Sequence, residues 1–332
     1  MRIVYCIERI TGTGGLQHIL IDKMNYLADH TCHEIILMTV WHNEKPLAYP
    51  LSNNVRRVEL NVPKHLYPMA MHRFNSMMKK LNPEVCIVFR AVGAFLASFT
   101  SWKGRIIYES HQPLETMNHR WVYPLMMNKI DTAVCLTHGD ARNFPKVKHV
   151  EVIPNFTEIK ADRLPDYSAK NVVFVGRDCP EKDIPRLHRI WDEIQKTHPD
   201  WKLSIHHNTK DIVKAYLEGS ILVMTSKAEG FPLVLIEAMS CGLPCIAFNC
   251  PYGPSEIIED GKTGYLIPYD DDNAFIDKLS ALMDNPEERE RMGKEGQNCA
   301  KRFNKSEIMN KFLRVFGGQR VKVKCQRSEV RG

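Results

Sequence analysis

Hydrophobic and polar positions alternate between two patterns along this chain. Short runs rich in Val, Ile and aromatic residues predict β-strands, and between them apolar residues recur every three or four positions, which predicts amphipathic helices. Helical spacing is clearest in the segments that begin at Leu16 and Ile184. The alternation is typical of parallel α/β units. The predicted strands are Ile3–Ile7, Glu34–Val40, Val85–Phe89, Arg105–Tyr108, Thr132–Leu136, Val150–Ile153, Val172–Val175, Lys202–Ile205, Ile221–Met224, Pro244–Phe248 and Gly264–Ile267.

A polar stretch divides this pattern into two halves. Pro154-Asn155 and residues Thr157–Lys170 show no periodicity, which indicates a linker. At 332 residues the chain is long enough for two domains, each with its own core. We therefore predict two doubly wound α/β domains in tandem. Their expected ranges are 1–155 and 171–318, with a linker at 156–170 and a basic tail at 319–332.

Composition excludes several classes of protein. The apolar and charged fractions are those of an ordinary globular protein, and no run approaches the roughly 18 apolar residues that a membrane-spanning helix needs. The first residues, Met1–Glu8, are too short and too soon acidic for a signal peptide, so we expect a buried first strand. The ten cysteines are scattered, which favours buried, reduced thiols in the cytoplasm over disulfides or a metal site.

The net charge of +6 is uneven along the chain. Near the C-terminus only Glu329 opposes a group of cations, and such a tail binds RNA, rests on an anionic membrane or is simply solvated. No nucleic-acid signature accompanies it, so nucleic acid is not an expected partner. The cations are Arg314, Arg320, Lys322, Lys324, Arg327 and Arg331.

The segment Glu229–Glu237 is the most informative of the chain. Two carboxylates with seven residues between them bracket an otherwise almost wholly apolar run. Pro232 suits the first turn of a helix, and Gly242 suits its end. The N–H groups at the start of such a helix favour phosphate, and a carboxylate on so apolar a helix needs a polar partner. The segment indicates either a site for a phosphorylated, hydroxyl-rich ligand or a core helix with a capping Glu229 and a salt-bridged Glu237.

Two cations follow the first strand of the second half. Gly176-Arg177 comes directly after Val172–Val175, and Lys182 lies five residues further on. Ligands of doubly wound domains bind beyond the carboxyl ends of strands, so these cations are placed to neutralise a diphosphate leaving group without a metal. Surface salt bridges are the alternative interpretation.

A glycine-rich segment, Thr11-Gly12-Thr13-Gly14-Gly15, lies between the first strand and the first helix. Glycines there let a backbone approach a ligand closely. NAD binding is not expected, because a dinucleotide fingerprint needs glycine where Gln17 stands and a carboxylate after the second strand, which ends at Val40. A phosphate or sugar contact by the amides of Gly14 and Gly15 stays open.

Two further polar clusters have two interpretations each. Asp270-Asp271-Asp272 resembles a DxD metal site, but it directly precedes the predicted helix Asn273–Met283, which favours helix capping. Glu109-Ser110-His111 ends a predicted strand, which exposes His111 to a ligand cleft. A lone histidine is either structural or catalytic.

Residues 67–81 combine an apolar stripe at helical spacing with positive charge. Such a helix either rests on anionic lipid or packs its stripe on the first sheet and leaves the cations solvated. The stripe consists of Tyr67, Ala70, Met71, Phe74, Met78 and Leu81, and the cations are His72, Arg73, Lys79 and Lys80.

Taken together, these motifs resemble those of glycosyltransferase family 4, in particular bacterial enzymes that assemble capsule, lipopolysaccharide and other surface polysaccharides. The resemblance extends over nearly the whole chain, and the E-x7-E block is its most specific part. It implies the GT-B fold, with two Rossmann-like domains facing across a cleft. The motifs that carry it are Gly14-Gly15, Glu109-Ser110-His111, Ile153-Pro154-Asn155, Gly176-Arg177 with Lys182, Glu229–Glu237, and Gly253–Ile258 leading to Gly264.

The resemblance also implies residue roles. Glu229 would face the hydroxyls of the donor sugar and Glu237 those of the ribose. Arg177 and Lys182 would carry the departing diphosphate, and His111 would lie near the reacting carbon and the acceptor. The catalytic residues it implies are Glu229, His111, Arg177 and Lys182, and the donor-binding residues are Gly14, Gly15, Gly230, Phe231, Pro232, Leu233 and Glu237.

The activity that the resemblance implies is retaining, metal-independent transfer from a nucleotide-diphosphate sugar, UDP-linked in particular. The acceptor would be a saccharide or lipid-linked glycan, with the enzyme in the cytoplasm or peripheral on the inner membrane face. The chain departs from the family pattern at one place. About one βα unit, which in the family helps to hold the nucleobase, is missing after Lys202–Ile205. The alternatives are a non-catalytic sugar-nucleotide-binding protein and a sugar-nucleotide epimerase or phosphorylase of the same fold.

Overall fold

The computed structural model describes residues 1–12, 14–42, 45–111, 120–207, 209 and 211–317. The chain divides into two compact units. Unit 1 contains Met1–Cys135, Ala141–Ile153 and the chain from Met309 onward, and unit 2 contains Leu136–Asp140 and Pro154–Ile308. The predicted basic tail at 319–332 lies outside the described residues, as does Thr13 of the glycine-rich segment.

Strands and helices alternate along most of the chain. The strands are β1 Arg2–Ile7, β2 Glu34–Trp41, β3 Val55–Val62, β4 Val85–Val88, β5 Arg105–Glu109, β6 Thr132–Cys135, β7 His149–Val152, β8 Asn171–Val175, β9 Lys202–His206, β10 Ile221–Met224, β11 Cys245–Phe248 and β12 Gly264–Ile267. The helices are α1 Gly15–His30, α2 Tyr67–Leu81, α3 Arg90–Phe99, α4 Tyr123–Met127, α5 His138–Ala141, α6 Ile184–Thr197, α7 Ile212–Leu217, α8 Leu233–Ser240, α9 Asp272–Asp284, α10 Pro286–Ala300 and α11 Lys305–Val315.

Unit 1 is built on a seven-stranded sheet in the order β3-β2-β1-β4-β5-β6-β7. All neighbouring strands are parallel. The chain winds outward from β1 to β3 and then returns to β4 on the other side of β1. This reversal between β1 and β4 is where sheets of this type bind ligands, beyond the carboxyl ends of the strands.

Strand β3 is the one strand of the described chain that the sequence did not predict. It lies at the edge of the sheet, and within it only Val55, Leu60 and Val62 are buried. Its exposed positions include Arg56, Arg57 and Glu59. These charged residues interrupt the apolar pattern from which a strand is predicted. Charged side chains are a common means of protecting a sheet edge, so the omission has a physical cause.

Unit 2 has a five-stranded parallel sheet in the order β12-β11-β10-β8-β9. Its five strands are those predicted, with ends shifted by at most one residue. Along β8, Val172 and Phe174 enter the core on one face, while Val173 and Val175 enter the core on the other. The winding reverses between β8 and β10. Between β9 and β10 lies the short helix α7.

The apolar stripe of helix α2 packs inside unit 1. Ala70, Phe74, Met78 and Leu81 are buried in the core of unit 1. Packing on the sheet, the second of the two alternatives, is therefore confirmed, and this stripe is not available to a lipid surface. His72, Lys79 and Lys80 remain exposed. Within the described ranges, no helix is long and apolar enough to cross a membrane.

The end of α11 packs on unit 1 rather than on the unit that precedes it in sequence. The guanidinium of Arg105 donates to the carbonyls of Val315 at 2.8 Å and Phe316 at 3.0 Å. Phe312 is fully buried and lies beneath the ammonium of Lys23. These contacts explain why the chain from Met309 groups with unit 1, although the predicted second domain extends to residue 318.

Two smaller expectations are confirmed. Asp271 caps α9, because its carboxylate accepts the N–H of Ala274 at 2.8 Å. Most cysteines in the described part of the chain are buried, and they form no disulfide with one another. Burial raises the pKa of Cys6 and Cys250 to about 12. Such thiols pack as small apolar groups and are not nucleophiles.

Candidate functional site

The residues predicted to hold a donor collect at the reversal of the sheet in unit 2. Strand β8 ends at Val175 and leads directly into Gly176-Arg177. The neighbouring strand β10 ends at Met224, and the chain then passes through Glu229 into α8. The carboxyl ends of these two strands therefore present both predicted motifs at the place where the fold favours ligand binding.

Lys182 and Glu229 form an ion pair at this point, 47 residues apart in sequence. The Lys182 ammonium donates to Glu229 Oε1 at 2.6 Å, and the side chains are 14% and 15% exposed. The hydroxyl of Thr225 donates to the carbonyl of Lys182 at 3.0 Å, which ties this loop to the end of β10. The pair is thus held by neighbouring groups, and solvent still reaches both side chains.

Gly176 keeps space beside the lysine. A Cβ placed there would lie 3.2 Å from the ring of Phe174 and 3.5 Å from Cε of Lys182. A side chain would press on the phenyl ring and crowd the stem of Lys182. Arg177 follows as an exposed residue. It makes no ion pair with another residue in the described ranges.

The start of α8 is held by packing. Pro232 occupies the cap position, one residue before the first helical residue Leu233, and no side chain caps this end. Phe231 is buried against Phe303, with ring centroids 5.6 Å apart. A Cβ on Gly253 would lie only 2.3 Å from Cδ of Pro232, so that glycine permits the close approach. Because the first N–H groups of a helix lack intrahelical partners, this end is suited to an anion.

Glu237 lies further along α8 and has a partner that the sequence did not suggest. The hydroxyl of Tyr216 donates to Glu237 Oε2 at 2.6 Å. Glu237 is 9% exposed and Tyr216 is fully buried. Burial raises the pKa of Tyr216, and the charge of Glu237 raises it further. The tyrosine therefore remains a hydrogen-bond donor that fixes the carboxylate.

Unit 1 carries the remaining predicted residues. Gly14 is the N-cap of α1 and Gly15 its first residue, and no side chain caps this end either. His111 follows β5 and is 5% exposed at its side chain. The imidazole packs against Phe89, with centroids 5.8 Å apart. The next residues, 112–119, lie outside the described chain.

His111 belongs to a buried ionic cluster. Its Nε2 lies 2.9 Å from Glu109 Oε1. The same oxygen accepts from the ammonium of Lys23 on α1, and both Lys23 and Glu109 are 0% exposed. Two other buried oxygens, Glu109 Oε2 and the hydroxyl of Tyr5, find no hydrogen-bond partner among the described residues. Such atoms are suited to an ordered water.

The charges of this cluster set the protonation of His111. Burial opposes ionisation of Glu109, but the positive charge of Lys23 and the hydrogen bonds from His111 and Lys23 outweigh it and hold the pKa of Glu109 below its ordinary value. Burial lowers the pKa of His111, and the positive charges of Lys23 and Arg90 lower it further, against the pull of Glu109. A carboxylate only accepts hydrogen bonds. The neutral imidazole therefore carries its proton on Nε2 and leaves Nδ1 as an acceptor.

The structure brings some predicted residues of unit 2 into contact. Lys182 touches Glu229, and Phe231 and Pro232 directly precede Leu233, the first residue of α8. Gly14, Gly15 and His111 belong to unit 1. Sequence reasoning missed Lys23, although a signal was present: Lys23 falls on the apolar face of α1, four residues after Ile19 and three after Leu20. No comparable signal linked Tyr216 to Glu237.

Comparisons with known proteins show what the chain is similar to. Residues 204–299 match the family model described as glycosyl transferases group 1. The chain is 26% identical over 323 residues to the amylovoran biosynthesis glycosyltransferase AmsD of Erwinia amylovora, covering 85% of this chain and 90% of that one.

Solved structures share the fold over almost the whole chain. The lipopolysaccharide outer core galactosyltransferase WaaB superposes with a TM-score of 0.77 at 17% identity, covering 94% of this chain and 98% of that chain. HepE of Anabaena, solved with UDP, gives 0.74 at 16% identity, covering 95% and 99%. The predicted GT-B architecture, with two parallel α/β sheets, is thereby confirmed.

Proposed function

We propose that this chain, a homologue of group 1 glycosyltransferases with the GT-B fold, transfers a sugar from a nucleotide-diphosphate donor to a saccharide or lipid-linked glycan. The donor is UDP-linked, and the product belongs to a bacterial surface polysaccharide. The observation that carries this proposal is the Lys182–Glu229 ion pair beside the uncapped start of α8. UDP in the similar structure of HepE supports the nucleotide.

The ion pair supplies a cation that can change partners. In the free protein Glu229 holds the ammonium of Lys182 at the end of β8 and β10. When a donor binds, Lys182 turns to the diphosphate together with Arg177, and the N–H groups at Leu233 meet the same phosphates. Glu229 is then free to accept hydrogen bonds from the sugar hydroxyls. Cations placed on a leaving group act where charge develops, which is the most effective form of electrostatic catalysis.

The reaction breaks the bond between the anomeric carbon and the diphosphate and forms one from that carbon to an acceptor oxygen. We propose attack from the face that the diphosphate leaves, with a departing phosphate oxygen taking the proton of the acceptor hydroxyl, so that configuration is retained. Arg177 and Lys182 take the counter-charge role, so no metal ion is required. His111, neutral and with Nδ1 free to accept, lies beside the acceptor, and Gly14 and Gly15 approach the donor phosphates.

Glu237 holds the ribose. Its Oε2 is fixed by Tyr216, so the carboxylate presents a constant geometry to two neighbouring hydroxyls. Ribose contacts are present in the ground state and the transition state alike, so Glu237 contributes to affinity rather than to rate.

We also propose that the enzyme works in the cytoplasm, peripheral on the inner membrane face. The buried stripe of α2 plays no part in this. The exposed cations His72, Lys79 and Lys80 of α2 are the candidates for a contact with anionic lipid.

A panel of sugar nucleotides tests the proposal. Binding of UDP-sugars by calorimetry, followed by NMR of the anomeric proton in the product, measures the donor and the stereochemistry together. We expect binding of a UDP-sugar with EDTA present and an α-linked product from an α-linked donor. Binding without transfer to any acceptor would favour the non-catalytic alternative, and a changed sugar nucleotide would favour an epimerase.

A further inference from the structure

A second cluster of cations lies in unit 1, at the reversal of its sheet. Beyond the carboxyl ends of β1 and β4 is a pocket of about 260 Å³. Since a water molecule occupies about 30 Å³ of liquid, this volume suits one sugar ring or a phosphate group rather than a whole nucleotide-sugar. Arg9 after β1, Arg90 after β4 and Lys64 after β3 line it.

The charge of this pocket is strongly unbalanced. Within the described ranges, none of the cations Arg9, Lys64 and Arg90 forms an ion pair. Among the described residues that line it, Glu8 is the one carboxylate, and it accepts from the N–H of Val92 at the start of α3, 3.4 Å away. Three positive side chains around one small space repel one another, so the arrangement favours an anion.

The backbone of Arg90 is strained in a way that functional sites often show. Its φ is +52°, a left-handed conformation that residues other than glycine rarely adopt. This conformation occurs at the first residue of α3, which Phe89 alone separates from the buried strand β4. Strain of this kind persists where the surrounding structure fixes it, and it concentrates at binding sites.

The pocket is also close to the histidine assigned to the acceptor. The charge of Arg90 is near enough to His111 to lower the pKa of that imidazole, after burial and Lys23. Apolar and amide groups complete the lining, with Trp41 on one wall and Gln17 near the start of α1. The pocket therefore offers a cationic end and a hydrogen-bonding amide, with the largely buried Trp41 behind one wall.

We propose that this pocket binds an anionic group, a phosphate or a carboxylate, carried by the acceptor. The acceptor is accordingly an acidic or phosphorylated saccharide, and its anion is held by Arg9, Lys64 and Arg90. The identification of the bound molecule as the acceptor rests on the proposed function. The anion site itself does not depend on the proposed transfer reaction.

Binding of glucose 1-phosphate, glucuronate and the neutral methyl glucoside to the native protein tests the site. Calorimetry gives the affinities, and the indole N–H signal of Trp41, assigned with Trp41→Phe, reports the place of binding by NMR. We expect at least one anion to shift the Trp41 signal and the neutral glycoside to bind far more weakly. Phosphate or carboxylate preference then names the acceptor group.

Matched variants make the test decisive. Arg9→Gln with Arg90→Gln should weaken binding of the anion by about ten- to a hundredfold, the effect of losing charge-assisted hydrogen bonds. Lys146→Gln with Lys148→Gln removes the same charge from exposed positions of unit 1 and should leave binding unchanged. Arg9→Lys with Arg90→Lys, which keeps the charge, should restore most of the affinity. An equal loss in both glutamine pairs, or no binding of any anion, would overturn the site.

Competition with UDP tests whether the pocket binds the donor phosphates instead. With UDP at saturation, glucose 1-phosphate should still bind and still shift Trp41; displacement by UDP would assign the pocket to the donor phosphates and overturn the inference. Failure of the proposed function has a different signature, because UDP-sugars would then neither bind nor react while the anion still bound at Trp41.

Discussion

Two lysine–glutamate pairs lie at the carboxyl ends of the two sheets, and they differ in exposure. Lys23 and Glu109 of unit 1 are 0% exposed, whereas Lys182 and Glu229 of unit 2 are 14% and 15% exposed. A fully buried pair cannot exchange a partner for water or ligand without a large desolvation cost. We therefore expect the first pair to stay closed beside His111, and in the proposed reaction the second releases its lysine to the donor. The two lysine–glutamate pairs consist of the same residue types, and we attribute their different expected behaviour to their different burial.

The largest expected effect separates the pairs by stability. Lys23→Met should lower the free energy of unfolding by about 3–5 kcal/mol, because it leaves the Glu109 charge buried without its partner. Lys182→Met, the matched change in unit 2, should cost only about 1 kcal/mol, since Glu229 is reached by water. Urea denaturation measures both. Similar losses in the two variants would contradict the contrast.

The cations of unit 2 should matter far more for catalysis than for stability. Arg177→Ala or Lys182→Ala should slow transfer by about 10²–10³-fold, or 2.7–4 kcal/mol, by analogy with the loss of one oxyanion donor. Initial rates of UDP release with EDTA present measure the effect, and Lys227→Ala is the control for an exposed lysine of the same unit. Undiminished rates in both variants, or loss of native activity in EDTA, would contradict the metal-free mechanism.

Within unit 2, substitution of the two glutamates should change different kinetic constants. Glu237→Gln should chiefly raise KM for the donor, because the proposed ribose contact is made before and during reaction. Glu229→Gln should chiefly lower kcat, because the proposed role of Glu229 is to contact the reacting sugar. Tyr216→Phe should follow Glu237→Gln more weakly, by about 1 kcal/mol, the worth of one hydrogen bond. Equal changes of KM and kcat in both glutamine variants would remove the distinction.

The buried cluster also predicts a pH dependence. The pKa of His111 is lowered, so below its ordinary value of 6.5 the unfolded chain takes up a proton that the folded protein refuses, and stability falls. The pKa of Glu109 is lowered too, so a further loss sets in below 4.5. One pKa unit corresponds to about 1.4 kcal/mol.

Urea denaturation at a series of pH values checks this dependence. His111→Gln should flatten the curve between pH 6.5 and 4.5, and Glu109→Gln should flatten it below 4.5. A native curve that is flat from pH 7 to 4 would be inconsistent with the charges assigned to the cluster.

The smallest effect concerns the membrane. Each basic residue near an anionic surface contributes about 1 kcal/mol, so neutralising Lys79 and Lys80 should reduce co-sedimentation with anionic vesicles and leave neutral vesicles unaffected. Lys146→Gln with Lys148→Gln is the control of equal charge. Equal binding to both kinds of vesicle by the native protein would argue against a peripheral membrane contact through α2.

The sequence predicted the fold well where strands are central and apolar, as β8 and β10 are, because buried parallel strands read as continuous apolar runs. It failed at β3, where an edge position replaces those residues with charge. It indicated that Lys182 and Glu229 serve one site, but their direct contact depends on the adjacency of β8 and β10, which no local pattern encodes. The pairing of Lys23 with Glu109 likewise joins α1 to β5 through tertiary structure.

A crystal structure of the protein with UDP, grown without divalent metal, tests the central contrast most directly. We predict that UDP occupies the start of α8, that the Lys182 ammonium leaves Glu229 and bonds a phosphate oxygen, and that Lys23 stays on Glu109. A Lys182–Glu229 pair that remains closed while the nucleotide is bound, or a nucleotide bound away from α8, would contradict the account.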